Sequence, residues 1–372
     1  MHDIPLESNV FSPNKLFTHM DRMYEWWQGK NVFPITLELS PTTICNHFCT
    51  WCMHGAYFGK HKGDKKELKL YPDSSMMQFD FYRGLIDEVV PLGAKAMIFS
   101  GSGEPFVNPD FPNFVEYTKM SGMDVSIITN GSLCDDESIP VAIKHSTWIR
   151  ISLNAGTAKT RAKIHQVPEK DWDITLENMR KLSAEKKRTG SSVHLGSQIV
   201  VEPNNWEEVY ETAQVSKECG MDYLQVKPVI MHPMSSDKQF EEEFFRKALV
   251  KIYEAKKAFD DDHFKVFVKE DQFVGVLSPD YERSHYKECY ANFFPIIEAN
   301  KLVYYCSQTR GLPEFAVGDL SKNTFKEIWD SSRRKHVNEN IDISKCQPIC
   351  RCHQINKTLW AIKHPKNGPN FV

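Results

Sequence analysis

The chain has 372 residues, of which 41% are hydrophobic and 10 are cysteine, and its 46 basic and 49 acidic side chains give a formal charge of −3. This composition can bury the core of one large or two modest domains, which excludes a mainly disordered chain. The balanced charge disfavours nucleic acid as a partner, and no apolar run reaches the ~18 residues of a membrane span. Without a secretory signal, we expect a cytoplasmic protein whose cysteines serve metal or redox chemistry rather than disulfides.

Between Pro34 and Ile230, short β-branched runs alternate with longer stretches of helical periodicity. The alternation predicts an α/β fold with a parallel sheet, either doubly wound or curled into a full or partial barrel. Asn14–Lys30 carries apolar residues at helical spacing and predicts a helix packed over one end of that barrel. The predicted strands are Pro34–Ser40, Ala94–Gly101, Val125–Asn130, Thr147–Ala155, Val193–Val201 and Tyr223–Ile230, and the predicted helices between them include Met76–Val90, Phe111–Met120, Trp172–Lys187 and Trp206–Cys219.

Polar residues end or follow each of these strands. Ligand sites of parallel sheets lie at the carboxyl ends of the strands, so these residues predict a pocket on one rim. In chain order they are Cys45, Cys49, Cys52, Gly101–Pro105, Asn130, Ser152, Asn154, Gln198, Glu202 and Lys227.

The first cysteines, Cys45, Cys49 and Cys52, place three thiolates within one short loop. Structural zinc normally takes four ligands, so a zinc site here would have to recruit His47, His54 or a distant residue. Three cysteines fit a [4Fe–4S] cluster better, and they leave one iron open to an exogenous ligand. An open iron is a catalytic rather than a structural feature.

The C-x₃-C-x₂-C spacing, with Trp51 before the last cysteine, resembles the radical S-adenosylmethionine (SAM) superfamily. The resemblance implies a partial (β/α)₆ TIM-like barrel in which the open iron binds SAM, and one electron, here from a flavodoxin or ferredoxin-type donor, cleaves SAM to a 5′-deoxyadenosyl radical. Ser102–Pro105 is similar to the family's GGEP element, which receives the methionine amino group; a buried ammonium needs an acceptor such as Glu104. The implied SAM-binding residues are Trp51, Ser102, Gly103, Glu104, Asn130, Ser152, Asn154 and Gln198.

Five further cysteines lie near the C-terminus: Cys289, Cys306, Cys346, Cys350 and Cys352. Phe294–Tyr305 alternates around a turn at residues 299–301 and predicts a β-hairpin with a cysteine at each end. A predicted helix from about Phe325 to Lys335 returns the chain to the remaining cysteines. Four thiolates would close a metal site, and the spacing alone also allows four-cysteine zinc.

This segment resembles the twitch, or abbreviated SPASM, domain of radical SAM enzymes, which holds an auxiliary [4Fe–4S] cluster. The implied ligands are Cys289, Cys306, Cys346 and Cys350; Cys352 is left out because neighbouring side chains of an extended loop point apart. We expect three regions: an N-terminal extension at 1–33, a radical SAM core at 34–264, and an auxiliary cluster domain with a tail at 265–372.

The resemblance leaves the reaction open. A dehydrogenase would remove a hydrogen from a small polyhydroxylated substrate, a sugar or aminocyclitol, and pass an electron to the auxiliary cluster, with Lys227 as the proton acceptor and Arg150 and His54 as further candidates. An epimerase would instead use Cys352 as a hydrogen donor. Peptide maturation is disfavoured, because the 44 residues before Cys45 are too few for a peptide-recognition domain of ~80 residues. The alternative without catalysis is a scaffold with two zinc sites.

Overall fold

The computed structural model describes residues 13–52, 75–230, 242–278, 285–346 and 350–365. His54 lies outside these ranges, as do both ends of the chain. The described strands form one ten-stranded sheet. They are β1 Thr36–Leu39, β2 Ala96–Phe99, β3 Asp124–Thr129, β4 Trp148–Ser152, β5 His194–Val201, β6 Tyr223–Pro228, β7 Lys265–Val268, β8 Ile296–Ile297, β9 Leu302–Tyr304 and β10 Ala316–Asp319.

Strands β1 to β7 lie side by side in chain order, and each pairs with its neighbours in parallel. On the other edge of β1 lies β8, also parallel to it, followed by the antiparallel strands β9 and β10. The α/β fold with a parallel, partial-barrel sheet is confirmed, and the six expected strands correspond to β1 to β6. The sheet also continues past residue 264 in β7, and the predicted hairpin, β8 and β9, extends the same sheet.

The described α-helices have the bounds that their end residues favour. Helix α6 begins with Asp171 and Asp173 in its first turn and ends before Gly190, whose φ of 64° is left-handed. The helices are α1 Met20–Trp27, α2 Phe79–Val89, α3 Phe111–Met120, α4 Ser138–His145, α5 Ala158–His165, α6 Lys170–Thr189, α7 Val209–Glu218, α8 Glu242–Phe259, α9 Glu270–Leu277, α10 Phe325–Asp330, α11 Ser332–Glu339 and α12 His353–Lys363.

The single helix expected from about Phe325 to Lys335 is two helices. Ser331 has an extended ψ of 152°, which ends α10, and its side chain accepts a hydrogen bond from the backbone N–H of Arg334 at 3.1 Å. A serine in this conformation is a favourable N-cap, so it starts a new helix after breaking the first one.

Side chains alternate between the two faces of the sheet. Leu37 and Leu39 of β1, like Ile149 and Ile151 of β4, lie in the buried core beneath the helices. Their neighbours Glu38 and Arg150 therefore lie on the opposite face, which we call the inner face. The inner face carries the polar groups of the site described below.

The N-terminal helix packs beside the start of β1 rather than over the pocket rim. Met23 and Trp26 of α1 share a small apolar core with Ile35, with Tyr290 and with Leu359 of α12. The helix therefore joins the first strand to the C-terminal region. Among the described helices, none combines the length and apolar character needed to cross a bilayer.

Candidate functional site

The loop with the first three cysteines leaves the carboxyl end of β1 and lies against the end of α5. The backbone N–H groups of Phe48 and Thr50 donate hydrogen bonds to the carbonyls of His165 and Ile164, each at 3.0 Å. These bonds hold the middle of the loop against the C-terminal end of α5. Its thiols, Cys45, Cys49 and Cys52, are all half-buried.

The three thiols lie close enough to influence one another. Burial, together with the Glu104 carboxylate and Cys52, raises the pKa of Cys45 to about 12. Burial and the two neighbouring thiols raise the pKa of Cys49 well above its usual value. Thiolates in such surroundings are stabilised only when a cation joins them, because metal binding requires and favours the deprotonated form. This donor set fits an iron–sulfur cluster.

The segment after β2 packs directly on the cysteine loop. A Cβ atom on Gly103 would lie 2.4 Å from the carbonyl oxygen of Ile44 and 2.5 Å from that of Thr42, so only glycine allows this approach. The N–H of Glu104 donates to the carbonyl of Ile44 at 2.9 Å. The hydroxyl of Ser102 donates a hydrogen bond to Oε2 of Glu298, which follows β8, at 2.9 Å.

Glu104 lies buried between the cysteine loop and β3. It accepts hydrogen bonds from the Thr129 hydroxyl at 2.5 Å and the Asn130 N–H at 2.7 Å. Burial nevertheless raises its pKa to about 7. A buried carboxylate with this raised pKa is stabilised by an added cation, which fits the ammonium group of SAM.

Three other expected cofactor-binding residues lie at the ends of β4 and β5. Ser152 and Gln198 pair across these strands, and Gln198 Oε1 is buried without a hydrogen-bond partner among the described residues. Such an orphaned acceptor fits a ligand group. Asn154 has a left-handed φ of 58°, and its Oδ1 accepts from the N–H of Val200 at 2.9 Å. Its side chain therefore also holds the ends of the two strands together.

Asn130 contacts the cysteine loop from the end of β3, and Trp51 belongs to the loop itself. The Asn130 side chain donates to Oδ1 of Asn46 at 2.8 Å, between the first two cysteines. The Trp51 ring lies edge-on to the imidazole of His165, with ring centroids 6.2 Å apart. Both residues thus contact the loop or its immediate support.

A buried network beneath the loop was not anticipated from the sequence. His47 Nδ1 lies 2.9 Å from Nδ1 of His165, and His47 Nε2 lies 3.1 Å from Asp171. Asp171 in turn accepts from Arg161 Nε at 2.7 Å, and Arg161 also donates to the carbonyl of Asn130 at 2.9 Å. The network connects the loop to α5, α6 and β3.

The same network contains the nearest counterpart of a zinc site in the described part of the chain. Ligand atoms of His47, Cys49 and His165 all lie within 4.8 Å of one another. Cys49 Sγ lies 3.4 Å from His165 Nδ1. A zinc ion here would take one cysteine of the loop and leave the other two without a role, whereas a cluster uses all three.

The C-terminal cysteines also converge. Burial and the proximity of Cys350, Cys306 and Cys346 raise the pKa of Cys289, and Cys350 and Cys346 act in the same way on Cys306. The expectation that Cys352 points away from Cys350 is wrong, because the Cys352 thiol lies close enough to raise the pKa of Cys350. Residues two apart share one face of an extended strand, so an extended loop gives no reason for these side chains to diverge, and here a turn follows Cys350.

A buried ion-pair group on the inner face links this second cysteine group to the barrel. Glu38 of β1 bonds to Arg351, between Cys350 and Cys352, and to Arg310 at 2.8 Å. Arg310 also pairs with Glu298 at 2.7 Å. No local motif marks these residues, because their partners are far apart in the chain.

Lys227 lies on the inner face at the end of β6. Burial, together with Arg150, Arg351 and Lys269, lowers its pKa to about 7. Among the described residues it forms no ion pair with a carboxylate. A lysine in this state can accept or donate a proton near neutral pH.

Comparison with known proteins shows which family the segment with the cysteine loop matches. Residues 39–216 match the model of the Radical SAM superfamily. The chain is 24% identical over 196 residues to the tungsten-containing aldehyde ferredoxin oxidoreductase cofactor-modifying protein of Pyrococcus furiosus, covering 52% of this chain and 51% of that protein. It is 26% identical over 142 residues to the AdoMet-dependent heme synthase of Methanosarcina barkeri, covering 38% of each. The chain thus spans about half, or less, of these relatives.

Solved structures share the fold over most of the chain. The crystal structure of Streptococcus suis SuiB gives a TM-score of 0.64 at 13% identity, over 90% of this chain and 76% of that one. Native anSMEcpe with bound AdoMet gives a TM-score of 0.58 at 16% identity, over 82% of this chain and 83% of that one.

Proposed function

Because residues 39–216 form a radical SAM domain, with its implied [4Fe–4S] cluster and SAM, we propose that this enzyme oxidises a small polyhydroxylated substrate, a sugar or aminocyclitol, on the inner face of the sheet. The observation that carries the proposal is the packing of Gly103 and Glu104 on the backbone next to Cys45. It places a buried acceptor for a cation beside a three-cysteine loop.

The residues proposed to hold the first cluster are Cys45, Cys49 and Cys52. Glu104 accepts the ammonium group of SAM, and the orphaned Oε1 of Gln198, with Ser152 beside it, offers further polar contacts. Trp51, Ser102, Gly103, Asn130 and Asn154 shape this site through the loop and strand-end contacts described above. A flavodoxin or ferredoxin-type protein is the proposed electron donor.

The second cluster is assigned to Cys289, Cys306, Cys346 and Cys350. When bound, SAM and the first cluster supply a radical that removes a substrate hydrogen, and the second cluster supplies an acceptor for the remaining electron. Arg351 holds the loop of Cys350 to Glu38, so the auxiliary site is fixed to the same sheet as the SAM site.

Lys227 is the proposed proton acceptor for the substrate hydroxyl. Its pKa of about 7 leaves a large neutral fraction at neutral pH, and the nearby cations oppose its protonation. Loss of the hydroxyl proton makes the substrate radical a stronger reductant, which favours electron transfer.

The experiment is an anaerobic assay of the reduced enzyme with SAM and a panel of aminocyclitols, sugars and short peptides in D₂O. A dehydrogenase yields 5′-deoxyadenosine and a product that has lost two hydrogens, without deuterium at carbon. A product of unchanged composition that carries one solvent deuterium would instead indicate epimerisation with Cys352 as donor. Turnover of peptides alone would overturn the proposed substrate class.

A further inference from the structure

The inner face carries a guanidinium, Arg150, that forms no salt bridge with a carboxylate among the described residues. On β6, Leu224 and Val226 lie in the core beneath the helices, so Gln225 and Lys227 face inward. Arg150 lies on the same face of β4, and its guanidinium donates to Gln225 Oε1 at 2.9 Å. Strands β4 and β6, which lie on either side of β5, thus bring polar and cationic side chains to one place.

The buried carboxylates near this place are already neutralised. Glu38 and Glu298 are matched by Arg310 and Arg351 in the ion-pair group. Arg150 carries a permanent charge beside this group, and Lys227 and Lys269 lie within electrostatic range of it. Asp271, at the start of α9, acts on Lys269, and Glu38 acts on Arg150 and Lys227.

Buried polar atoms beside these cations lack partners. Arg150 Nε, Gln225 Nε2 and Gln198 Oε1 are all buried without a hydrogen bond among the described residues. Two of the three atoms are donors, and such atoms are costly to bury unless a ligand or water satisfies them. Unsatisfied donors on and beside a guanidinium suit an anion.

We propose that the substrate carries an anionic group, a carboxylate or a phosphate, that binds to Arg150 and Gln225 on the inner face, with Lys269 and Lys227 beside it. The inference rests on the proposed function for the location of the substrate, and it adds the charge of that substrate. The planar guanidinium of Arg150 suits two-point recognition of either oxyanion.

The test measures binding to the iron-loaded holoenzyme by calorimetry, with inorganic phosphate, succinate and neutral myo-inositol as probes. We expect phosphate or succinate to bind, and Arg150→Gln to weaken that binding about tenfold to a hundredfold. Phosphate and succinate are compared to distinguish the two oxyanions. The control Lys265→Gln, an exposed lysine of β7, should leave the affinity unchanged.

Arg150→Lys keeps the charge and checks that any loss is not a folding defect; it should retain part of the affinity and the wild-type melting temperature. SAM affinity should be the same in Arg150→Gln and wild type. Failure of both anions to bind wild type, equal anion binding by wild type and Arg150→Gln, or loss of SAM affinity in Arg150→Gln would each overturn the inference. Because no turnover is needed, a failed dehydrogenase assay does not bear on this outcome.

Discussion

Arg351, which lies between two C-terminal cysteines, donates a hydrogen bond to Glu38 in the first strand of the sheet. Arg310 reaches the same carboxylate at 2.8 Å. The auxiliary cysteine group is therefore fixed to the barrel by a buried ion pair as well as by the shared sheet. The contact links it to the strand that leads into the loop of Cys45, Cys49 and Cys52.

We expect Glu38→Gln to destabilise the protein by about 1–3 kcal/mol, because it removes a buried carboxylate shared by the buried Arg310, which keeps Glu298, and the partly exposed Arg351. Urea unfolding measures the change. The control Glu254→Gln removes an exposed ion pair with Lys251 and should change stability by less than about 1 kcal/mol. Equal effects of the two substitutions would contradict the assignment.

The same carboxylate predicts a pH dependence. Despite burial, Arg351, Arg310 and the Ser100 hydroxyl lower the pKa of Glu38 from 4.5 to about 2. Because the folded pKa is the lower one, the stabilisation is complete above pH 4.5 and is lost as pH falls towards 2. Glu298 and Lys227 also face this group. Between pH 2 and 6, the free energy of unfolding should fall less steeply with decreasing pH in Glu38→Gln than in wild type.

Glu104→Gln should weaken SAM binding by about 1–3 kcal/mol while both clusters keep their iron, because the buried ammonium loses a charged acceptor. Calorimetry on the anaerobic protein measures the affinity. Glu116→Gln, an exposed position on α3, is the control. An affinity unchanged by Glu104→Gln would show that the cation binds elsewhere.

The fourth auxiliary ligand can be separated from its neighbour by single substitutions. Cys350→Ala should lose about four irons, and Cys352→Ala should retain them. The iron content of each variant decides which cysteine is the fourth ligand. Both variants are needed because the two thiols lie close together. If Cys352→Ala loses the iron instead, the ligand choice is wrong; if it keeps the iron but stops product formation, the hydrogen-donor mechanism is favoured.

Lys227→Gln should greatly reduce product formation while leaving SAM cleavage detectable. In wild type, the rate should rise with pH through about 7, because Lys227 must be neutral to accept a proton. Arg150, Arg351 and Lys269 lower this pKa and Glu38 raises it. In Arg150→Gln the midpoint should therefore move to higher pH. A pH profile unaffected by both substitutions would exclude Lys227 as the acceptor.

The sequence predicts the parts of this protein that depend on local patterns. β-branched runs mark β1 to β6, and the spacing of Cys45, Cys49 and Cys52 marks the loop, because both are properties of consecutive residues. β7, Lys265–Val268, escapes because it lies beyond the alternating stretch that ends at Ile230. The break at Ser331 escapes because a serine is also tolerated inside a helix.

The ion-pair group and the network beneath the loop could not be predicted in this way. Arg310 and Arg351 contact Glu38 across separations of 272 and 313 residues, and His165 meets His47 across 118. The packing of loops and helices on the sheet, rather than any local motif, brings these residues together. Burial then lowers the pKa of His165, an effect that no spacing in the sequence encodes.

The most direct test is the iron, sulfide and zinc content of the anaerobically purified protein. Two [4Fe–4S] clusters predict about eight irons and about eight sulfides per chain, and replacing Cys45, Cys49 and Cys52 together by Ala should remove about half of the iron and all SAM cleavage. About two zinc ions per chain without sulfide, or SAM cleavage that survives the triple substitution, would contradict the account.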